Sequence, residues 1–149
     1  MDDIKVIIKN KKAWHEYNIL EEYEAGIVLT GTEIKSVRQG KINLMDSYAI
    51  VRDRELFLEG MHISPYEHGN IFNVDPLRTR KMLMHSQEIR KLQARMKQEG
   101  LALIPLSIYF KRGKMKLALG LAKGKKLFDK REDAVKKEVK RNIERYMKK

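Results

Sequence analysis

The sequence LALIPLSIYFKRGKMKLALGLA, residues 101–122, contains two apolar runs separated by the polar tripeptide Arg-Gly-Lys at 112–114. The first run includes isoleucine, tyrosine and phenylalanine, which favour strands, and a short polar break with glycine is typical of a β-hairpin. We therefore predict strands at residues 101–111 and 115–122, joined by a turn.

Shorter patterns of the same kind lie upstream. Strand-like runs occur at residues 6–8 and 17–29, and in a second hairpin at 47–51 and 55–58. Within the second run, Ala25-Gly26 predicts a bulge or bend. An open sheet built from five or six such short strands would expose its edges, so we expect a curled sheet or barrel.

Two segments have helical signals. Residues 30–40 contain Thr32 as a cap, and residues 79–99 have apolar positions at helical spacing and end before Gly100. Residues 64–76 hold two prolines, a glycine and two asparagines, and we predict a loop there. The expected fold is mainly β with two small helices.

The composition excludes several classes of protein. The chain has 149 residues, which suits one domain, and 32 Lys and Arg against 20 Asp and Glu give a net charge of +12. Such a charge favours a polyanionic partner. The absence of cysteine excludes a disulfide scaffold, a thiolate nucleophile and a cysteine-ligated zinc site. No apolar run is long enough for a membrane span and no signal peptide is recognisable, so we expect a cytoplasmic protein.

The positive charge is concentrated at the C-terminus. Residues 123–149 hold 12 Lys or Arg against 5 acids, a net +7, and the composition changes near Ala122. We therefore predict a folded domain at 1–122 and a basic tail at 123–149. The tail has one narrow apolar line at a spacing of four residues, too thin to hold a helix firmly on a domain. We expect it to be disordered alone and helical against an anionic surface.

No catalytic or metal-binding arrangement is recognisable in the sequence. The four histidines lack the spacing of a metal site, and alternation along a strand would place two of Glu21, Glu22 and Glu24 in water. The glycine- and lysine-rich residues 120–126 fail as a phosphate-binding loop, since only three residues separate the glycines and Lys126 stands where Ser or Thr is required. We predict no enzyme activity and no cofactor.

Three basic clusters predict RNA binding. Residues 10–17 mix lysines with Trp14, His15 and Tyr17, a combination suited to phosphate attraction and base stacking, although Trp14 and Tyr17 are equally compatible with a core. Residues 78–81 form a second cluster at the expected helix start, and its alternative role is a solvated helix entrance. The tail is the third, and its alternative role is a solubilising extension.

The chain resembles the SmpB family, the tmRNA-binding proteins of bacterial trans-translation. Blocks matching the family run in order through nearly the whole sequence: NK at 10–11, HEY at 15–17, YEAG at 23–26, GTEIKS at 31–36, DSY at 46–48, DPLRTRK at 75–81 and residues 120–131. The resemblance implies a closed, oblate antiparallel β-barrel of OB-like type. It also implies two or three small helices at the side of the barrel and a C-terminal tail that is disordered when free and helical on the ribosome.

The resemblance implies an adaptor in ribosome rescue. Proteins of this family bind the tRNA-like domain of tmRNA and deliver it, with elongation factor Tu, to stalled ribosomes. The RNA contacts carried over by the family motifs, with the cations of residues 78–81, are Asn10, Lys11, His15, Tyr17, Glu24, Arg78, Arg80, Lys81, Leu83 and His85. Among these, Glu24 could accept hydrogen bonds from RNA, orient a neighbouring cation or hold the bulge at Gly26. Leu83 would be an apolar contact or a support beneath the surface, and helical spacing favours the support.

The resemblance gives the tail a separate role on the ribosome. The residues expected in the decoding region are Lys123, Gly124, Lys125, Lys126, Phe128, Asp129, Lys130 and Arg131, and the following residues would form a helix in the empty mRNA channel. Many relatives have histidine where this chain has Phe128, and an aromatic ring there preserves stacking but loses a hydrogen bond.

Two alternatives remain open. The chain could be an OB-like translation or ribosomal protein that binds rRNA structurally, which would show no preference for tmRNA. An RNA-cleaving enzyme using His15 and His85 is the other, and labelled RNA left intact by the protein would exclude it. The lack of a broad exposed apolar stripe predicts a monomer.

Overall fold

Nine strands and three helices follow one another along residues 4–125, the part of the chain that the computed structural model describes. The strands are β1 (Ile4–Lys9), β2 (Tyr17–Ile27), β3 (Ile42–Asn43), β4 (Tyr48–Arg52), β5 (Glu55–Glu59), β6 (His62–Ile63), β7 (Arg80–Leu83), β8 (Ala102–Lys111) and β9 (Lys114–Gly124). The helices are α1 (Lys11–Glu16), α2 (Gly31–Arg38) and α3 (Ser86–Glu99), with a short 3-10 helix at Asn70–Phe72. None of these helices has the length and apolar character needed to cross a membrane.

Strands β8 and β9 form the predicted hairpin, which is confirmed. Lys111 lies opposite Lys114, and Arg112 and Gly113 between them have φ values of 54° and 77°. This left-handed geometry at both turn positions gives the twist that a two-residue hairpin requires. The hairpin predicted at residues 47–58 is likewise confirmed as β4 and β5.

Six strands form a ring-like antiparallel sheet. The order is β8-β4-β5-β7-β2-β9, and β9 pairs again with β8. One registered pair, Ala49 opposite Leu103, joins β4 to β8, and β1 pairs along the rest of that edge of β8. The structure confirms the mainly β prediction.

The core fills the inside of this ring. The alternating side chains of the long strands are fully buried there, and Ile89 and Leu92 of α3 join the same cluster. The strand residues are Leu56, Leu58, Met82, Leu103, Ile108, Leu117, Leu119 and Leu121. A smaller cluster lies on the outer face, where Ala13 of α1 packs with Ile104, Leu106 and Ala122. Helix α1 is therefore fixed to the outside of the β8–β9 hairpin.

The single helix predicted for residues 79–99 is wrong over its first part. Residues Arg80–Leu83 form β7, and α3 begins only at Ser86. Along β7, Arg80 and Met82 are buried whereas Lys81 and Leu83 are exposed, which is the period of a strand. Pairing with β5 on one side and β2 on the other imposes this period, and neither partner is close in sequence.

Three smaller predictions also need correction. The cap of α2 is Thr30, because its hydroxyl accepts from the Glu33 backbone while the Glu33 carboxylate accepts from the Thr30 backbone. The bulge of β2 lies between Ile19 and Glu21 instead of at Ala25-Gly26, where pairing with β9 is regular. Strand β9 continues to Gly124, two residues past the composition boundary at Ala122.

Candidate nucleic-acid interface

Asn10 anchors the start of α1 and is buried. Its side-chain oxygen accepts from the Ala13 backbone over 3.2 Å, and its amide nitrogen donates to the carbonyls of Pro105 (2.9 Å) and Leu44 (3.3 Å). All of this hydrogen bonding is within the protein. Asn10 therefore positions α1, and its side chain is not displayed on the surface.

Several residues after Asn10 have exposed aromatic or positively charged side chains. Lys11 and His15 are exposed, and Trp14 is 50% exposed, so Trp14 is not a core residue. Tyr17, at the start of β2, is half-buried and packs against the small outer cluster. Helix α1 thus holds Lys11, Trp14 and His15 on a rigid support.

A cleft of about 740 Å³ lies beside α1. Its walls include Lys12 and Asp46, which form an ion pair of 2.7 Å, together with Tyr17 and Tyr48. Gly124 and Lys125 also line it, so the end of β9 lies on this side of the molecule.

A row of five residues crosses the outer face of the ring, one from each of five strands. In register, Val6 lies opposite Tyr109, Tyr109 opposite Lys116, Lys116 opposite Gly26, and Gly26 opposite Leu83. We call this set the outer row. A methyl group at Gly26 would lie only 3.3 Å from Cβ of Leu83, so the glycine leaves room for Leu83 to lie over β2. Leu83 is 53% exposed, which excludes the predicted role of a support beneath the surface.

Glu24 lies beside the outer row and is held by two partners. The Tyr109 hydroxyl donates to Oε2 of Glu24 over 2.5 Å, and Nζ of Lys111 lies 3.4 Å from the same oxygen. The hydrogen bond from Tyr109 and the positive charge of Lys111 hold the pKa of Glu24 below its ordinary value. The carboxylate is therefore charged on this face, and it does not support a bulge at Gly26.

The second basic cluster is largely turned inward. Nε of Arg80 donates to Oε2 of Glu33 over 2.7 Å, and the other guanidinium nitrogens of Arg80 donate to the carbonyls of Met61 and Pro76. Arg78 donates to the other oxygen of Glu33 over 2.5 Å. Arg80 is 0% exposed, so in this structure its guanidinium is not at the surface for the predicted RNA contact.

Burial and hydrogen bonding act in opposite directions on Glu33. Burial alone would raise the pKa of Glu33, but hydrogen bonds from Arg78, the Thr30 backbone and Arg80 outweigh it and keep that pKa below its ordinary value. Glu33 is therefore a buried anion that fixes α2 to the segment leading into β7.

Lys81 and His85 remain on the surface. Nζ of Lys81 forms an exposed ion pair of 3.0 Å with Glu55. His85 occupies the N-cap position of α3 and is exposed, and its side chain makes no capping hydrogen bond. Both side chains are accessible to a partner.

The residues assigned to the tail divide at Lys125. Lys123 and Gly124 belong to β9 and lie opposite Asn18 and Tyr17, and the Lys125 backbone donates to the Glu16 carbonyl. The remaining predicted residues, Lys126, Phe128, Asp129, Lys130 and Arg131, lie outside the described residues.

The structure brings Glu24 and Leu83 onto one outer face and adds residues that the sequence reasoning missed. Tyr109, Lys111 and Lys116 all belong to the predicted hairpin, and alternation along its strands would have placed Tyr109 and Lys111 on one face. Alternation along the hairpin could not predict that β2 lies beside β9. It therefore could not predict that Tyr109 reaches Glu24. Within residues 4–125 no three His, Asp or Glu side chains are grouped as a metal site would require.

Comparisons with known proteins identify close relatives. A family model described as "SmpB protein" matches residues 7–149. The SsrA-binding protein of Acetivibrio thermocellus is 56% identical over 147 residues, which cover 99% of this chain and 96% of that protein. That of Caldicellulosiruptor saccharolyticus is 59% identical over 147 residues, covering 99% of this chain and 93% of that protein. A solved structure described as "tmRNA-SmpB: a journey to the center of the bacterial ribosome" contains a chain with a TM-score of 0.69. That chain is 52% identical, and the match covers 83% of this chain and 87% of the solved one.

Proposed function

We infer, because the chain belongs to the SmpB family, that it is an RNA-binding adaptor for the tRNA-like domain of tmRNA. It delivers this RNA to stalled ribosomes for trans-translation, together with elongation factor Tu, which it meets through the RNA. The family is one of RNA-binding proteins, and we propose that the chain itself makes and breaks no bond.

One observation carries this proposal: rigid elements display large apolar and aromatic side chains between lysines. Trp14 is 50% exposed on α1 beside Lys11, and Leu83 is 53% exposed on β7 beside Lys116 of the outer row. Leaving such side chains in water forgoes part of the roughly 1.5–3 kcal/mol that full burial supplies. Bases and riboses can cover the apolar groups while lysines contact phosphates, a combination that folded RNA offers.

The RNA surface that we propose differs from the predicted one. It comprises the exposed or half-buried residues of the predicted set together with Trp14 and Lys116; the residues of that set are Lys11, His15, Tyr17, Glu24, Arg78, Lys81, Leu83 and His85. Asn10 and Arg80 support this surface from within, since both are buried and hydrogen-bonded inside the protein.

We assign the basic tail to the ribosome. The residues from Lys123 to Arg131 would contact the decoding region, and the rest would enter the downstream mRNA channel when no mRNA occupies it. A lysine-rich segment can offset its ordering cost against rRNA phosphates only where the channel is empty. The net +7 of residues 123–149 suits such a partner.

The remaining proposals concern the state of the protein. We propose that the ring-like sheet is a closed, oblate barrel of OB-like type. We also propose that residues 1–122 form the tmRNA-binding domain and that residues 123–149 form a tail with its own function. We also propose that the protein is a cytoplasmic monomer.

The test is the affinity of the full chain for the tRNA-like domain of tmRNA, compared with an elongator tRNA across a salt series. We expect preference for tmRNA, and equal affinity for both RNAs would instead favour a structural rRNA-binding protein. His15→Ala should weaken tmRNA binding roughly fivefold, as loss of one hydrogen-bonding or stacking contact would. His68→Ala, which removes an exposed histidine outside the proposed surface, is the matched control.

A further inference from the structure

Glu24 poses an electrostatic problem for an RNA-binding surface. Its side chain is 40% exposed, and phosphate groups repel a carboxylate. A carboxylate can contribute to RNA binding only if it meets a hydrogen-bond donor, such as a base amino group or a ribose 2′-hydroxyl. Its orientation therefore decides whether it helps or hinders.

Tyr109 provides that orientation from two strands away. Glu24 on β2 lies opposite Ala118 of β9, and Ala118 lies opposite Ser107 of β8, so β9 separates Glu24 from Tyr109. The tyrosine hydroxyl reaches Oε2 of Glu24 by crossing β9 on the outer face. Ala118, the residue of β9 opposite Glu24, has only a methyl group as its side chain.

The two carboxylate oxygens of Glu24 differ in their hydrogen bonding. Oε2 accepts from Tyr109 and lies 3.4 Å from Nζ of Lys111, whereas Oε1 accepts no hydrogen bond from residues 4–125. Tyr109 is only 9% exposed, so its ring is held by its surroundings and loses little freedom in making the bond. The carboxylate thus has one fixed oxygen and one available acceptor.

We propose that Tyr109 is a positioning residue for RNA recognition, which orients Glu24 so that Oε1 accepts a hydrogen bond from a base amino group or a ribose 2′-hydroxyl. This inference rests on the proposed function and deepens it. A fixed acceptor attracts a hydrogen-bond donor of the RNA at one position and repels a phosphate at the same position. Tyr109 and Glu24 therefore contribute more to selectivity between RNAs than to total affinity.

The decisive variant is Tyr109→Phe in the full chain, because phenylalanine keeps the ring and its burial and removes only the hydroxyl. We expect affinity for the tRNA-like domain of tmRNA to fall about tenfold, the usual effect of losing a hydrogen bond to a charged group. Affinity for an elongator tRNA should change less than about twofold, since phosphate contacts dominate there. Tyr23→Phe, which removes a hydroxyl that donates to the carboxylate of Glu21 outside the proposed surface, is the matched control and should leave both affinities unchanged.

A double-mutant cycle separates positioning from a general structural role. If Tyr109 acts through Glu24, adding Tyr109→Phe to Glu24→Ala, which leaves no acceptor for the tyrosine to orient, should cause less than about a twofold further loss. In the free protein, NMR titration should show the pKa of Glu24 rising in Tyr109→Phe, because its main stabilising hydrogen bond is gone. A structural role would instead lower the melting temperature and weaken binding of both RNAs together.

The remaining outcomes distinguish failure of this inference from failure of the proposed function. Unchanged selectivity in Tyr109→Phe, or full additivity with Glu24→Ala, would overturn the inference while leaving the proposed function intact. A wild-type protein without preference for tmRNA would refute the proposed function and this inference with it. If Tyr109→Phe does not fold, Glu24→Asp breaks the same contact from the exposed side by shortening the carboxylate, and it should show the same loss of selectivity.

Discussion

The guanidinium of Arg80 and the carboxylate of Glu33 form an ion pair in which both side chains are almost completely buried. Their side chains are 0% and 4% exposed, the Nε–Oε2 distance is 2.7 Å, and the two residues are 47 positions apart in the sequence. Because Arg80 also donates to the carbonyls of Met61 and Pro76, this pair connects α2 and β7 to the residue before β6 and to the segment that leads into β7. It fixes β7, which carries Lys81 and Leu83 of the proposed RNA surface.

Removing one member of this pair should strongly destabilise the protein. Arg80→Met leaves the buried Glu33 carboxylate with only one of its two guanidinium partners, and breaking such a buried pair costs about 3–5 kcal/mol of unfolding free energy. The measurement is denaturant unfolding of both proteins. Lys81→Met, on the opposite face of the same strand, breaks the exposed pair with Glu55 and should cost less than about 1 kcal/mol. Equal losses in the two variants would contradict a structural role for Arg80.

The same pair makes stability depend on pH in the acid range. The pKa of Glu33 is lower in the folded protein than its ordinary value of 4.5, so the unfolded state binds a proton more readily. The stabilisation is therefore complete above about pH 4.5 and is lost as the pH falls through the folded pKa. We expect Glu33→Gln to be less stable at neutral pH and to lose less stability on acidification than the wild type. Denaturant unfolding at a series of pH values gives both quantities, and parallel curves for the two proteins would exclude this contribution.

Leu83 should contribute to RNA binding and little to stability. Its side chain is 53% exposed over Gly26, so Leu83→Ala removes few internal contacts and should change the unfolding free energy by less than about 1 kcal/mol. Affinity for the tRNA-like domain of tmRNA should fall roughly fivefold, because an apolar contact of this size is worth about 1 kcal/mol. Leu77→Ala, at a leucine that is 56% exposed in the segment before β7, is the control. A large drop in melting temperature without loss of affinity would place Leu83 in a structural role.

Mutation of the tail lysines should separate the two proposed partners. Lys125→Ala combined with Lys126→Ala removes two positive charges at the point where the chain leaves β9 and keeps the backbone bond from Lys125 to the Glu16 carbonyl. We expect weaker association with ribosomes and little change in affinity for tmRNA. The measurements are ribosome co-sedimentation and RNA titration at one salt concentration, since such affinities depend steeply on salt. A proportional loss of both would show that the lysines act as a general electrostatic arm.

Features that depend on neighbours along the chain were predictable from the sequence. The hairpin of β8 and β9 was predictable from two apolar runs and a turn, and the β4–β5 hairpin from the same logic, because each closes over a few residues. Exposure of Lys11 and His15 also agreed with the pattern of residues 10–17. The family followed from motifs spread through the chain, and the match over residues 7–149 confirms it.

The incorrect prediction of a helix at residues 80–83 concerns a segment whose structure is set by pairing with strands distant in the sequence. The apolar positions after residue 79 fit a helix locally, but pairing of Met82 with Leu56 and of Leu83 with Gly26 makes residues Arg80–Leu83 a strand. The burial of Arg80 follows from this change, since a strand directs alternate side chains inward.

By itself, the sequence determined the local hairpins, the charge asymmetry and the family, because these depend on adjacent residues or on composition. Only the tertiary structure decided that Glu24 is held by Tyr109, 85 positions away, and that Arg80 is a buried partner of Glu33. The physical reason is that a ring-like sheet brings together strands far apart in the chain, and the register between them sets which side chains meet.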